Sequence, residues 1–291
     1  MLFTILEITL PIFIIALVGL VYGRVAKPDL GGANKLAVDI ALPVLIFTSL
    51  STKAFTPFEV ARFGAAAVAL IVLSGLLALP FRAWLKADWR AFVPCVMFGN
   101  VGPVGLPLMA LTYGADGMAA AIMLLVLSNL LHFTLGAGLM SGRIDWRTVW
   151  ANPLVWASLA GLGFGQMHWQ LPGPLLMPLN MIGAVLVPLM LMSLGARLST
   201  TQLSDVQVGF KVALVSTLVK LAAAFLILKL LPLPGLYRGA LILFACLPPA
   251  VFNFLLADRY AREPAKVASI VMAGHLASLL VLPLGLWLAL R

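Results

Sequence analysis

Apolar residues run along this chain in stretches of about twenty, separated by short segments that hold most of the charges. Ten such runs are read, with limits near 4–23, 34–52, 60–81, 91–113, 117–140, 151–168, 175–196, 206–230, 236–257 and 265–290. A helix rises about 1.5 Å per residue, so a run of this length crosses the hydrocarbon of a bilayer. The pattern predicts an all-α membrane protein of ten transmembrane helices, with loops too short for a soluble domain. The first run, within Met1 to Gly23, has no basic start and no small-residue cleavage site. It is read as a retained span rather than a signal peptide.

Two of the ten runs are broken near their middles. One reads Phe92-Val-Pro-Cys-Val-Met-Phe-Gly-Asn-Val-Gly-Pro-Val-Gly-Leu-Pro-Leu108, the other Leu241-Ile-Leu-Phe-Ala-Cys-Leu-Pro-Pro-Ala-Val-Phe-Asn-Phe254. Proline removes a backbone donor and clashes with the preceding turn, so each helix is expected to open there. Open backbone at membrane depth survives only where protein or a watery cavity satisfies it. Interrupted segments at matching places in two halves point to the substrate site of a transporter.

The halves correspond at an offset near 147 residues. Pro43 matches Pro188, Arg90 before the first broken run matches Arg238 before the second, and Asp116 matches Glu263. Five spans per copy is an odd number, so the second copy inserts upside down. The expected domains are residues 1–145 and 146–291, two inverted five-helix repeats.

Composition supports a bilayer environment: hydrophobic residues are 63% and charged residues 10% of the 291. The net charge of +9 does not indicate nucleic acid, because the basic residues are dispersed over short loops. It reports orientation instead. Thirteen Lys and Arg, among them Arg24, Arg90, Arg143, Arg197 and Arg262, fall on one side and five on the other. The richer side is expected to be cytoplasmic, which places both termini outside. Cys95 and Cys246 each precede a break and are read as small apolar packing residues. No spacing suits a metal or a disulfide framework, and no cofactor is expected. Paired carboxylates, a P-loop and a nucleophile elbow are missing; Gly99 to Gly105 resembles a phosphate loop but lacks its lysine. With no ATP-binding apparatus, energy is expected from a gradient or from the substrate itself.

Candidate chemistry centres on the breaks. Half-helix N-termini carry unpaired N–H groups and partial positive charge, which suits a carboxylate. The substrate-binding candidates are Gly99, Asn100, Gly102 and Pro103 at the first break and Pro248, Pro249 and Asn253 at the second. The alternative is that the prolines only kink and the asparagines only cap. Lys220 lies deep in the eighth run, where an ammonium costs roughly 2.5–3.5 kcal/mol on insertion scales. Its expected partners are an anionic substrate or helix C-terminal carbonyls, unless it loses its proton. Asn129 and His275 sit at mid-span at equivalent places in the repeat, and His275 is a candidate for proton coupling. Gly161-x-x-x-Gly165 is read as packing.

Four segments carry a resemblance to bacterial members of the auxin efflux carrier family, whose plant relatives are the PIN auxin exporters. They are Leu10-Pro-Ile-Phe with Gly19-x-x-x-Gly23, Asn34-Lys-Leu-Ala-Val-Asp-Ile-Ala-Leu-Pro43, Gly99-Asn-Val-Gly-Pro-Val-Gly-Leu-Pro107, and Leu247-Pro-Pro-Ala followed by Asn253. The resemblance covers nearly the whole chain, which lacks the long central loop of the long plant exporters. It implies ten spans with two crossed broken helices, as in sodium–bile-acid symporters. It further implies an elevator mechanism, with spans 3–5 and 8–10 mobile and spans 1, 2, 6 and 7 as scaffold and dimer contact. The expected protein is a secondary or facilitated transporter of a small organic anion such as malate, malonate or an auxin-like acid, in a bacterial inner membrane, with proton or sodium coupling open. A sodium-coupled symporter of the bile-acid type, a channel and a membrane-embedded enzyme are the alternatives.

Overall fold

The computed structural model describes residues 2–52, 57–144, 147–200 and 206–291. Every regular element among them is helical. In chain order these are α1 (Leu2–Ala26), α2 (Gly31–Leu36), α3 (Leu42–Ser51), α4 (Pro57–Ala78), α5 (Arg82–Leu85), α6 (Trp89–Met97), α7 (Leu106–Leu131), α8 (Ala137–Ser141), α9 (Arg147–Trp150) and α10 (Pro153–Gln166). There follow α11 (Gly173–Thr200), α12 (Val206–Leu230), α13 (Gly235–Cys246), α14 (Phe252–Arg259) and α15 (Pro264–Ala289). Three wide π turns link α2 to α3 (Ala37–Ala41), lead into α7 (Val101–Gly105) and join α7 to α8 (His132–Gly136).

Among the described residues, seven helical stretches are long and apolar enough to cross a membrane. The expected first, second, third, seventh, eighth and tenth runs each supply one. The seventh stretch, Val101–Ser141, holds the end of the expected fourth run and all of the fifth. It is not one straight helix. Gly114 has φ +64 and ψ −143, and a methyl group on Gly117 would overlap the Met109 carbonyl. Eight residues of continuous helix would separate those positions by about 12 Å, so the chain folds back at Gly114. The expected sixth run is represented by the 14-residue α10. The expected ninth is split between α13 and α14, neither long enough alone.

Local chemistry explains the ends. Asp88 caps α6 by accepting from Arg90 N at 3.0 Å, and Asn152 caps α10 by accepting from Leu154 N at 3.0 Å. α13 stops before Pro248-Pro249, and Leu247 is extended at φ −64, ψ 140, as a residue before proline prefers. α6 ends at Phe98, φ −107, ψ 107, ahead of Gly99.

The helices pack in two groups. α1 lies along α11 so closely that a methyl group on Gly19, Gly23 or Gly195 would overlap opposing backbone or side-chain atoms. α3 packs on α10 and α11 beside them. In the other group α12 packs on α15, α4 and α13, and α13 on α7 and α15. The buried hydrophobic cluster runs through Phe92, Val96, Phe98, Leu106, Leu243 and Ile270, around the two breaks. Both cysteines are buried and unpaired within this packing.

Candidate functional site

The two breaks meet. Gly99 and Pro249 face each other as a single antiparallel bridge, with Asn100 N donating to Pro248 O at 2.7 Å and Ala250 N donating to Phe98 O at 2.9 Å. Each break thus satisfies two backbone groups that its own helix released, as the bilayer interior requires.

Side chains complete the crossing in a reciprocal pattern. The Asn100 amide lies 2.9 Å from His275 Nε2 on α15, and Asn253 Oδ1 lies 2.9 Å from His132 Nε2 at the end of α7. Each break asparagine therefore meets a histidine near the end of the other half. Asn253 Nδ2 also donates to Ala250 O at 3.0 Å and Phe98 O at 3.4 Å, tying one break to the other. Lys220 Nζ donates to Leu247 O at 2.5 Å, at the C-terminal end of α13, where a cation meets the negative pole of the helix.

Beside the crossing lies a cavity of about 710 Å³ with mainly apolar walls. It is lined by residues of both breaks and of α11, with Asn34, Asn152 and Arg197 also on its wall. All three π turns contribute to it: Val38 and Asp39, then Val101 to Pro103, then His132 and Phe133. Single π turns of this kind recur at functional sites because they re-aim backbone groups.

Unsatisfied donors converge on this cavity. Gly102 N–H, in the first turn after the first break, reaches no acceptor within the described chain. The same holds for Val251 N–H and Phe252 N–H at the start of α14. Gly102, Val251 and Phe252 all line the cavity. Ser193 of α11 lines the same cavity; it is 4% exposed and its hydroxyl has no partner. Orphan N–H groups at helix N-termini, together with a free hydroxyl, are neutral donors of the kind that can hold an anion.

The sequence candidates divide around this geometry. Gly99, Asn100, Gly102, Pro103 and Asn129 line the cavity. Pro248, Pro249, Asn253, Lys220 and His275 do not. Asn253 is 0% exposed and its amide is fully engaged in holding the crossing, while Pro248 and Pro249 face a pocket of about 10 Å³ behind it. Lys220 takes the helix-carbonyl partner rather than the cavity. The hydrogen-bonding counterpart of His275 is His132, not Asn129. Sequence reading passed over His132 and Ser193. A histidine three residues beyond Asn129 in an apolar run was the available signal for the first; Ser193 had only its place near Pro188.

Comparison with known proteins gives the family. The model of a family described as membrane transport protein matches residues 4–145 and 139–286. The chain belongs to that family, which is the auxin efflux carrier family its motifs resemble. It is 25% identical to an uncharacterized transporter of Methanocaldococcus jannaschii, over 98% of this chain and 99% of the relative. It is 28% identical to an uncharacterized transporter of Methanothermobacter thermautotrophicus, over 96% of each. The family and both relatives are named as transporters, which indicates an integral membrane transport protein rather than an enzyme.

Proposed function

We propose that this family member carries a small organic anion, a carboxylate, by alternating access. The observation that supports this most directly is the convergence of Gly102, Val251 and Phe252 N–H groups and the Ser193 hydroxyl on one cavity. Such a site binds a carboxylate without a buried formal charge of its own, and the carrier can return empty across the membrane.

In the same reading the chain has ten spans in two inverted repeats, residues 1–145 and 146–291. The fold-back at Gly114, the short α10 and the split of the ninth run between α13 and α14 supply the three spans that length alone does not count. The group containing α4, α6, α7 and α12–α15 would move as an elevator against the group containing α1, α3, α10 and α11, which would also form a homodimer contact. The cavity lies between the two groups, where such a movement would expose it alternately. Arg197, one of the thirteen basic residues, is exposed on its wall, so in this reading the conformation opens toward the basic, cytoplasmic side.

The test is a thermal-shift screen of mono- and dicarboxylates on the purified protein, with and without sodium. A carboxylate that raises the melting temperature equally in sodium and potassium is the expected result. Stabilisation that requires sodium favours a symporter of the bile-acid type. No stabilisation by any carboxylate contradicts the proposal.

A further inference from the structure

The two break asparagines each meet a histidine, but the histidines are held in opposite tautomers. His275 Nδ1 lies 2.8 Å from Val271 O, so it carries the hydrogen and donates. Nε2 is then a lone pair, and it accepts from the Asn100 amide. Both ring nitrogens are used. At His132 the order is reversed. Asn253 spends its amide N–H groups on Ala250 O and Phe98 O, so its oxygen faces the ring and His132 Nε2 must be the donor. Nδ1 of His132 is left as a bare lone pair, and no donor within the described chain reaches it.

His132 is also the histidine on the cavity wall; His275 is not. The ring is fixed. It stacks on Phe98 at 4.1 Å and 7°, and meets Phe252 edge-on at 5.2 Å. Its Cδ2 edge lies against Gly136, which leaves Nδ1 on the opposite edge of the ring. Phe98 and Phe252 flank the two breaks, so the ring stands beside both of them on the cavity wall.

We infer that His132 Nδ1 is the proton-binding atom of the anion site. The inference rests on the proposed carboxylate reading of the cavity. As a carboxylate enters, the neutral imidazole takes one proton from solvent and becomes an imidazolium. Nε2–H stays on Asn253 Oδ1, and the new Nδ1–H donates to the carboxylate. Proton and anion leave together on the far side, so a monocarboxylate crosses without net charge. The other charged groups do not take over this role. Asp39 and Arg197 share the cavity but are exposed, and Arg197 is engaged within the chain. Asp258 and Arg259, further along α14, are outside the wall, and Lys220 is held behind the crossing on Leu247 O. No carboxylate of the protein lies against the ring among the described contacts, so the substrate supplies the counter-charge.

The experiment measures affinity for acetate, malonate, malate and indole-3-acetate between pH 5 and pH 8 on wild type, His132→Gln and His275→Gln. Glutamine at 132 keeps an N–H for Asn253 but takes no proton; glutamine at 275 keeps an acceptor for Asn100. Wild-type affinity is expected to fall by up to about tenfold per pH unit as the medium becomes basic, the limit for one linked proton. His132→Gln is expected to lose this slope and His275→Gln to keep it. Calorimetry of wild type in two buffers of different ionisation enthalpy counts protons without any variant, and decides the matter if His132→Gln does not fold. PH-independent binding or zero proton uptake by wild type overturns the inference alone, as does an unchanged slope in His132→Gln. A wild type that binds no carboxylate at any pH overturns the proposed function with it.

Discussion

An ammonium in the middle of an apolar helix has to be neutralised, solvated or bound, and Lys220 is bound. It is 4% exposed, and its Nζ sits on the carbonyl that ends α13. The contact satisfies a helix-end acceptor that α13 cannot satisfy itself. Lys220→Met leaves that carbonyl buried and unpaired, a loss of about 1–3 kcal/mol. Lowered melting temperature and folded yield are therefore expected, with any loss of uptake following from them. A Lys220→Met protein that melts like wild type but no longer transports would instead make the lysine part of the anion path. The charge of Lys220 was legible in the sequence because it interrupts an apolar run. Its partner was not, since Leu247 is 27 residues away and is chosen by how α12 crosses α13. His132 escaped for a related reason. Its importance lies in which of its nitrogens is left over, and that depends on two carbonyls from separate halves of the chain.

At the scale of elements, the breaks carry both the fold and the proposed chemistry. Proline and glycine placed them in the sequence within a residue or two, because backbone chemistry is local. Their antiparallel pairing at Gly99 and Pro249 is non-local, and so are the orphan N–H groups it aims at the cavity. Val251 offers a clean test of those groups. Its φ of −59 already suits proline, its N–H has no partner among the described residues, and its carbonyl still accepts from Phe254 N. Val251→Pro removes one donor with little backbone strain. A hydrogen bond to a charged group is worth about 1.5–3 kcal/mol, so carboxylate affinity is expected to fall about tenfold or more. The melting temperature without ligand is expected to hold. Unchanged affinity in a folded Val251→Pro protein would remove the α14 terminus from the site.

For the whole molecule, the apolar periodicity made the all-helical membrane class readable, and seven long apolar helical stretches among the described residues follow it directly. The remaining expected spans are short or folded back, since Gly114 and the prolines cut runs that hydropathy reads as continuous. The cavity was not legible, because it is the gap between two packed groups rather than a property of any segment. Orientation can be read by labelling single cysteines: Ser141 is expected to react from the cytoplasm and Thr52 from outside, and the reverse pattern would invert the direction in which the cavity opens. The most direct test of a carrier is counterflow in proteoliposomes loaded with unlabelled carboxylate and given a trace of the same labelled compound outside. Alternating access predicts transient accumulation of label that saturates with internal carboxylate. Label that merely equilibrates, at a rate independent of internal carboxylate, would mean a channel and would contradict the carrier mechanism.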